Sequence, residues 1–336
     1  MTPDPSRVLE PRAIEPRAIG GPTARSPPSS AEWRDYRERG SVRLLRLMAF
    51  LSLRLGRSLS RGVLYGIATY FFLFSPAARR HSRRFLKLAL GRNPSAADRF
   101  RHILYFATCI HDRVYLVNEQ FDRFDCTIEG EPFVRAQIDA GRGGFLVGAH
   151  MGSFEVMASM GRREPGLHVC MAMYEDNARK INAQLAAINP DAKPDIIPLG
   201  HIDTMLTIAE RLERGAFVGM LADRTLGDEP VCLVTVLGRP TYLPTGPMRA
   251  AAILRRSVIF MAGLYRGGNR YHVVFAPIAD FSAIPAGGRD AAINSAMLRY
   301  AALIDRYCRS DPYNWFNFFD FWRERTSLDF RPRKSG

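Results

Sequence analysis

An α/β fold is what this sequence predicts: a central, mostly parallel sheet flanked by helices, entered through an amphipathic, membrane-associated helical segment. Two observations carry the prediction. From about residue 143 onward, short apolar runs of strand length alternate with stretches spaced for helices, as layered α/β folds require. Ahead of that alternation, residues 31–125 are basic and leucine-rich, with apolar residues recurring at helical spacing.

The sheet elements come first. Apolar runs at 144–149, 167–173, 195–199, 216–221, 232–237, 257–264 and 271–277 read as strands. Helical spacing recurs at 154–160, 177–188, 202–214, 245–255 and 291–309. The stretches around Gly238-Arg-Pro and Leu243-Pro-Thr-Gly-Pro247 read as a loop with a helix start, because Thr245 and Pro247 suit a cap and a first turn. In such folds functional groups gather at the C-terminal ends of strands.

The 336 residues suffice for one large or two modest domains. Composition divides them into a tail, 1–30, a basic helical segment, 31–125, and an α/β domain, 126–330, packed with 31–125 as one unit. The tail is rich in Pro, Ser and Arg, buries too little apolar surface to offset its chain entropy, and is expected to be disordered. It has no apolar core of a secretory signal. The five cysteines, at 109, 126, 170, 232 and 308, form no CxxC pair and sit at no ligand spacing from a histidine. No structural metal, cofactor or disulfide framework is expected, and isolated thiols fit a reducing cytosol.

Net charge is +14, and its placement says more than its size. Residues 31–101 carry 16 Lys/Arg against 4 Asp/Glu. On one continuous helix Arg43, Arg46, Arg54, Arg57 and Arg61 fall in a narrow stripe, with leucines around the rest of the circumference. A thin basic stripe on a broad apolar body suits an anionic membrane surface, with arginines meeting headgroups; the competing reading is a buried helix with one exposed face. Between Arg61 and Arg79 lie 17 uncharged residues, roughly 25 Å of helix, at the short limit of a bilayer span. Two glycines, Pro76 and basic flanks favour an interfacial or half-inserted helix over a crossing. Nucleic acid is not expected as a partner, since a leucine-rich helix offers neither a polar groove nor stacking partners.

The chemistry-bearing segment is Gly148-Ala-His-Met-Gly-Ser-Phe-Glu155. His150 follows a short apolar strand, Gly152 and Ser153 make the turn, and Glu155 falls in the first turn of the next helix. A carboxylate returning to the imidazole would fix its tautomer and leave the other nitrogen free to take a proton from a hydroxyl. The nucleophile would then come from the substrate, with backbone donors of Gly152 and Ser153 facing the developing oxyanion. A Ser153 nucleophile lacks its usual G-x-S-x-G setting. The spacing alone is equally compatible with a structural histidine.

Further motifs give this segment a context. In order along residues 33–325 they are the amphipathic segment; Phe106-Ala-Thr-Cys-Ile-His-Asp112-Arg113; the His150 segment; Leu221-Ala-Asp-Arg224; Leu237-Gly-Arg-Pro-Thr-Tyr-Leu-Pro-Thr-Gly-Pro247; and Pro312-Tyr-Asn-Trp-Phe-Asn-Phe-Phe-Asp-Phe-Trp322. This ordered set resembles the lysophospholipid acyltransferase superfamily, and within it the lipid A biosynthesis (lauroyl/myristoyl) acyltransferases. The resemblance implies transfer of a fatty acyl chain from acyl carrier protein, or acyl-CoA, to a lipid hydroxyl at the cytoplasmic face of the bacterial inner membrane, by a peripheral or monotopic protein. It implies His150 as general base and Glu155 as its partner. It also implies Asp223, at the family's later acidic position, as a site residue, and an arginine downstream of Tyr174, for which Arg179 is the candidate; Asp223-Arg224 ends an apolar strand, where side chains meet the cleft and could bind substrate. Two departures point to a side branch similar to the acyltransferases encoded with aryl polyene pathways: after Arg179 and Lys180 no basic residue stands before Lys193 to match the family arginine, and Ser-Phe stands where lipid A enzymes carry Asn-Trp before the Glu; Arg224 also follows Asp223 where the family reads Gln or His.

Two other functions compete: a hydrolase of the same lipids, and a non-catalytic membrane-binding protein. Asp112-Arg113 reads first as a buried ion pair, and the aromatic close as core packing.

Overall fold

The computed structural model describes residues 42–192, 194–225 and 229–322. The expected tail, 1–30, lies outside the described residues.

Three helices open the described residues: α1 (Val42–Phe74), α2 (Pro76–Leu90) and α3 (Ala96–Val117). The entry of α3 is fixed by a capping box, in which Ser95 accepts from the Asp98 amide and Asp98 accepts from the Ser95 amide. Then follow β1 (Asp125–Glu129), α4 (Glu131–Asp139), β2 (Phe145–Gly152), α5 (Phe154–Arg163), β3 (Val169–Tyr174), α6 (Glu175–Ile188), β4 (Ile196–Leu199), α7 (Thr204–Glu213) and β5 (Phe217–Leu221). The chain closes through β6 (Val231–Val236), β7 (Arg239–Pro244), α8 (Gly246–Ile253), β8 (Ser257–Tyr265), β9 (Arg270–Asp280) and α9 (Arg289–Ser310).

Seven strands form one sheet in the order β1-β9-β8-β2-β5-β3-β4. Every neighbouring pair is parallel except the β8–β9 hairpin. Helical crossovers join β2, β3, β4 and β5, and they cover both faces. That is why β8 is buried at every position and β2 reads as an unbroken apolar run. The expected mostly parallel sheet flanked by helices is therefore what the chain forms.

Two strands differ from the expectation. The stretch 239–244 is a strand rather than a loop: its two prolines are accommodated because β7 pairs only with β6, in a separate two-stranded ribbon. The 232–237 run pairs there too, outside the main sheet. β1 is an edge strand of charged and polar residues, mostly exposed, so it shows no apolar run.

The arginine stripe is corrected by a kink. Gly56 has φ 77° and ψ 166°, so two helices meet there and the wheel drawn through one helix does not hold. Arg57 turns inward and makes a two-pronged ion pair with the fully buried Asp112 of α3, both bonds 2.8 Å. Arg57 and Arg61 both donate to the Gly268 carbonyl in the β8–β9 turn. α1 exposes much of its apolar side, including Phe50, Leu55, Leu59, Val63, Leu73 and Phe74, together with Arg46 and Arg54. Among the described residues no helix is long and apolar enough to cross a membrane.

Candidate active site

His150 lies near the C-terminal end of the central strand β2, where the pairing of β2 with β8 shifts register between Gly148 and Gly152. The shift brings two backbones together. Gly152 has φ 67°, and a Cβ there would stand 2.0 Å from the Gly263 carbonyl oxygen, so the turn requires glycine. Ser153 then caps α5, accepting from the Val156 amide.

A C-terminal segment closes over this bend. Trp315 bridges Met151 in antiparallel fashion. The Phe316 amide donates to the His150 carbonyl (2.9 Å), and the Gly152 amide to the Asn314 carbonyl (2.8 Å). The Asn314 side chain clasps the Tyr265 backbone, accepting from its N–H at 2.8 Å and donating to its carbonyl at 3.1 Å.

The side-chain partner of His150 is Asp223, just beyond β5. Nδ1 lies 2.7 Å from Asp223 Oδ1, and the His150 amide donates to Oδ2 at 3.1 Å. Trp315 Nε1–H also donates to Oδ2, at 2.9 Å. A carboxylate only accepts, so Nδ1 carries the proton and the lone pair sits on Nε2. The Asp223 side chain is fully buried, whereas 35% of the His150 side chain remains accessible. A buried carboxylate holding Nδ1 of a partly accessible imidazole is an arrangement that suits a general base.

Electrostatics favour the neutral imidazole. Burial and the Arg224 guanidinium push His150 below the ordinary histidine range, against the opposing pull of Asp223. Burial alone would raise the Asp223 carboxyl, but His150, Arg224 and the Trp315 N–H outweigh it and hold it well below the carboxylate range. Arg224, half-buried, donates to the Phe316 carbonyl and to Asn317 Oδ1, both at 3.2 Å, and lies over the Phe319 ring. The site therefore holds a fixed cation beside an ionised carboxylate and a neutral imidazole.

Several expected residues stand elsewhere. Glu155 does not return to His150; its Oε1 lies 2.6 Å from Arg113 Nε of α3, and Arg113 also donates to Gln184 of α6. Starting in the first turn of α5, Glu155 meets the helix that packs on α5 rather than the strand it has just left. The Gly152 and Ser153 amides are not free oxyanion donors: the first serves Asn314 and the second the Gly263 carbonyl, at 2.7 Å. Arg179 is exposed on α6 and pairs with Asp176 one turn back, so it is a surface residue. Asp223 and Arg224 do converge with His150. Trp315 belongs to the set and escaped sequence reasoning, because an aromatic-rich terminus signals packing and carries no mark of one indole N–H aimed at a carboxylate. A cavity of about 410 Å³, lined by Asp125, Thr127, Arg266, Arg270 and Tyr271, opens at the β8–β9 hairpin and includes none of these residues. Among the described residues no cluster of His, Cys, Asp and Glu suits a metal ion.

Comparison with known proteins adds one finding. The model of a family described as bacterial lipid A biosynthesis acyltransferase matches residues 35–324. Among curated proteins, none matches the chain.

Proposed function

From the premise that this chain belongs to the bacterial lipid A biosynthesis acyltransferase family, we propose that it transfers a fatty acyl chain from acyl carrier protein, or from acyl-CoA, to a hydroxyl of a lipid or glycolipid. The observation that carries the mechanism is the 2.7 Å contact from His150 Nδ1 to a buried Asp223, on an imidazole whose side chain is 35% accessible. Nε2 takes the proton of the acceptor hydroxyl as its oxygen attacks the thioester carbonyl. Asp223 stabilises the imidazolium that forms. Collapse of the intermediate breaks the C–S bond, and the imidazolium returns the proton to the departing thiolate. Arg224 contributes a cation to balance the transient oxyanion. Glu155 acts at one remove, holding Arg113 and with it the packing of α5 on α3.

The reaction is proposed to run at the cytoplasmic face of the inner membrane, where thioester donors are available. The surface of α1 supports this: Arg57 and Arg61 bind protein, while Leu55, Leu59, Val63, Leu73 and Phe74 face outward beside the exposed Arg46 and Arg54, an apolar and basic surface that lipid favours. The residues Ser-Phe before Glu155 and Arg224 after Asp223 favour an acceptor from a specialised pathway, of the aryl polyene kind, over lipid A itself.

The test is an assay of the purified protein with acyl-carrier-protein thioester, with and without total lipid extract, beside His150→Gln. Acylated lipid is expected, falling by roughly 10²-fold or more in the variant. Free fatty acid in place of acylated lipid means a hydrolase, and equal product from the variant removes His150 from the mechanism.

A further inference from the structure

The aromatic terminus is more than core packing. Its Trp315 is fully buried and held at both ends. The indole N–H donates to Asp223 Oδ2 at 2.9 Å, while the Trp315 carbonyl accepts from His102 Nε2 at 2.9 Å. Because that carbonyl only accepts, His102 must carry its proton on Nε2, and its Nδ1 accepts from the Ser82 hydroxyl at 2.9 Å. One run of hydrogen bonds therefore passes from Ser82 of α2 through His102 of α3, Trp315 and Asp223 to His150. Every side chain in it except His150 is buried. Around the indole, Phe85, Phe321 and Trp322 pack edge-on and fix the ring plane.

We propose that Trp315 is a positioning residue for the general base: its N–H fixes the rotation of the Asp223 carboxylate and shares its charge, and so sets how strongly Asp223 binds the His150 imidazole. The role rests on His150 acting as base. Physically, each donor that Asp223 accepts lowers its appetite for the next. With two donors on Oδ2, the His150 amide and the indole, the bond from Oδ1 to Nδ1 is strong enough to fix the tautomer yet leaves the imidazole easy to keep neutral. Removing the indole N–H concentrates the charge on the pair with His150. The imidazolium is then favoured, and the histidine titrates at higher pH. The other ionisable groups facing this pair are Arg224 beside Asp223 and, from α9, Tyr300 and Cys308; burial pushes both of these acids up, so neither ionises in the working range. His102, on the far side of Trp315, is pushed down to about 4 by burial, so it stays neutral as well.

The test uses the full chain with Trp315→Phe, which keeps a ring and removes the donor. Two readouts are taken: the titration of His150 by NMR of labelled histidine, assigned with His150→Gln, and the pH profile of acyl transfer. An upward move of the His150 midpoint by roughly half a pH unit is expected, with the acidic limb of kcat/KM moving by the same amount. Phe321→Leu removes comparable packing but no donor, and should leave the midpoint in place. If Trp315→Phe does not fold, benzothienylalanine at 315 puts sulfur where the N–H was and keeps the shape. A midpoint unchanged in whichever form folds overturns the role. Because the titration needs no turnover, a wild-type protein without transferase activity overturns the proposed reaction while still deciding the place of Trp315.

Discussion

His150 and its two acidic candidates separate cleanly by what each does to the imidazole. Asp223 raises the pKa of His150 against the stronger pull of burial and Arg224. In Asp223→Asn that support is gone, so the His150 midpoint must fall further below the ordinary histidine range. The amide also presents either an N–H or a carbonyl to Nδ1, which permits the wrong tautomer. The acidic limb of kcat/KM therefore moves to lower pH, while kcat drops by about 10²-fold or more. Glu155→Gln leaves the His150 midpoint where it is, because the Glu155 carboxylate is committed to Arg113. The paired histidine titrations check this, and equal shifts in both variants would sink the assignment of Asp223 as orienter. His150 was legible because a single histidine follows an apolar strand. The identity of its partner was not. Asp223 is 73 residues away and reaches His150 only because β5 lies beside β2, a register no local spacing encodes.

Helix α1 is seated in part by a buried ion pair, beside its contacts to Tyr115 and Gly268, and the pair is its sensitive point. Asp112 has no exposure and accepts from Arg57 twice and from Tyr271 once, at 2.8 Å. Arg57→Ala strands the carboxylate in the interior, a change that costs about 3–5 kcal/mol. Urea denaturation measures the loss, and cleavage near Gly56 should appear under limited proteolysis as the C-terminal half of α1 loosens. Arg57→Ala combined with Asp112→Leu should recover most of the loss, since no charge is then left unpaired. A single variant as stable as wild type contradicts the reading. This element also marks where periodicity misleads. The leucine and arginine spacing of 43–61 was readable, but which side faces the protein depends on Asp112 and on the turn at Gly268, both remote in sequence. The kink at Gly56 left only a lone glycine as its trace. Apolar runs were read as strands even at the β4 edge, whereas β1 was missed because charged residues break its run and β7 because its prolines suggested a loop.

At the scale of the molecule, the N-terminal helices present a surface that water should not favour. Leu59 and Val63 are 68% and 59% exposed in the part of α1 after the kink. α2 contains no acidic residue and exposes Arg80, Arg83 and Lys87. Apolar side chains able to enter the headgroup region thus lie in the same stretch of chain as cations that form no ion pair among the described residues, the combination expected at an anionic bilayer. The apolar part and the ionic part have different signatures. Each fully inserted side chain contributes about 1.5–3 kcal/mol and is insensitive to salt, whereas each cation near the surface contributes about 1 kcal/mol and is screened. Co-sedimentation with phosphatidylglycerol-containing vesicles should therefore weaken with salt but not vanish, and phosphatidylcholine vesicles should bind less. Leu59→Glu with Val63→Glu should weaken binding at least about tenfold at every salt concentration, while Arg80→Gln with Arg83→Gln should flatten the salt dependence. Wild-type protein that stays in the supernatant with anionic vesicles at low salt would remove the membrane from the mechanism. The acceptor would then have to be a lipid delivered in solution, and the outward apolar face of α1 would need a protein to cover it.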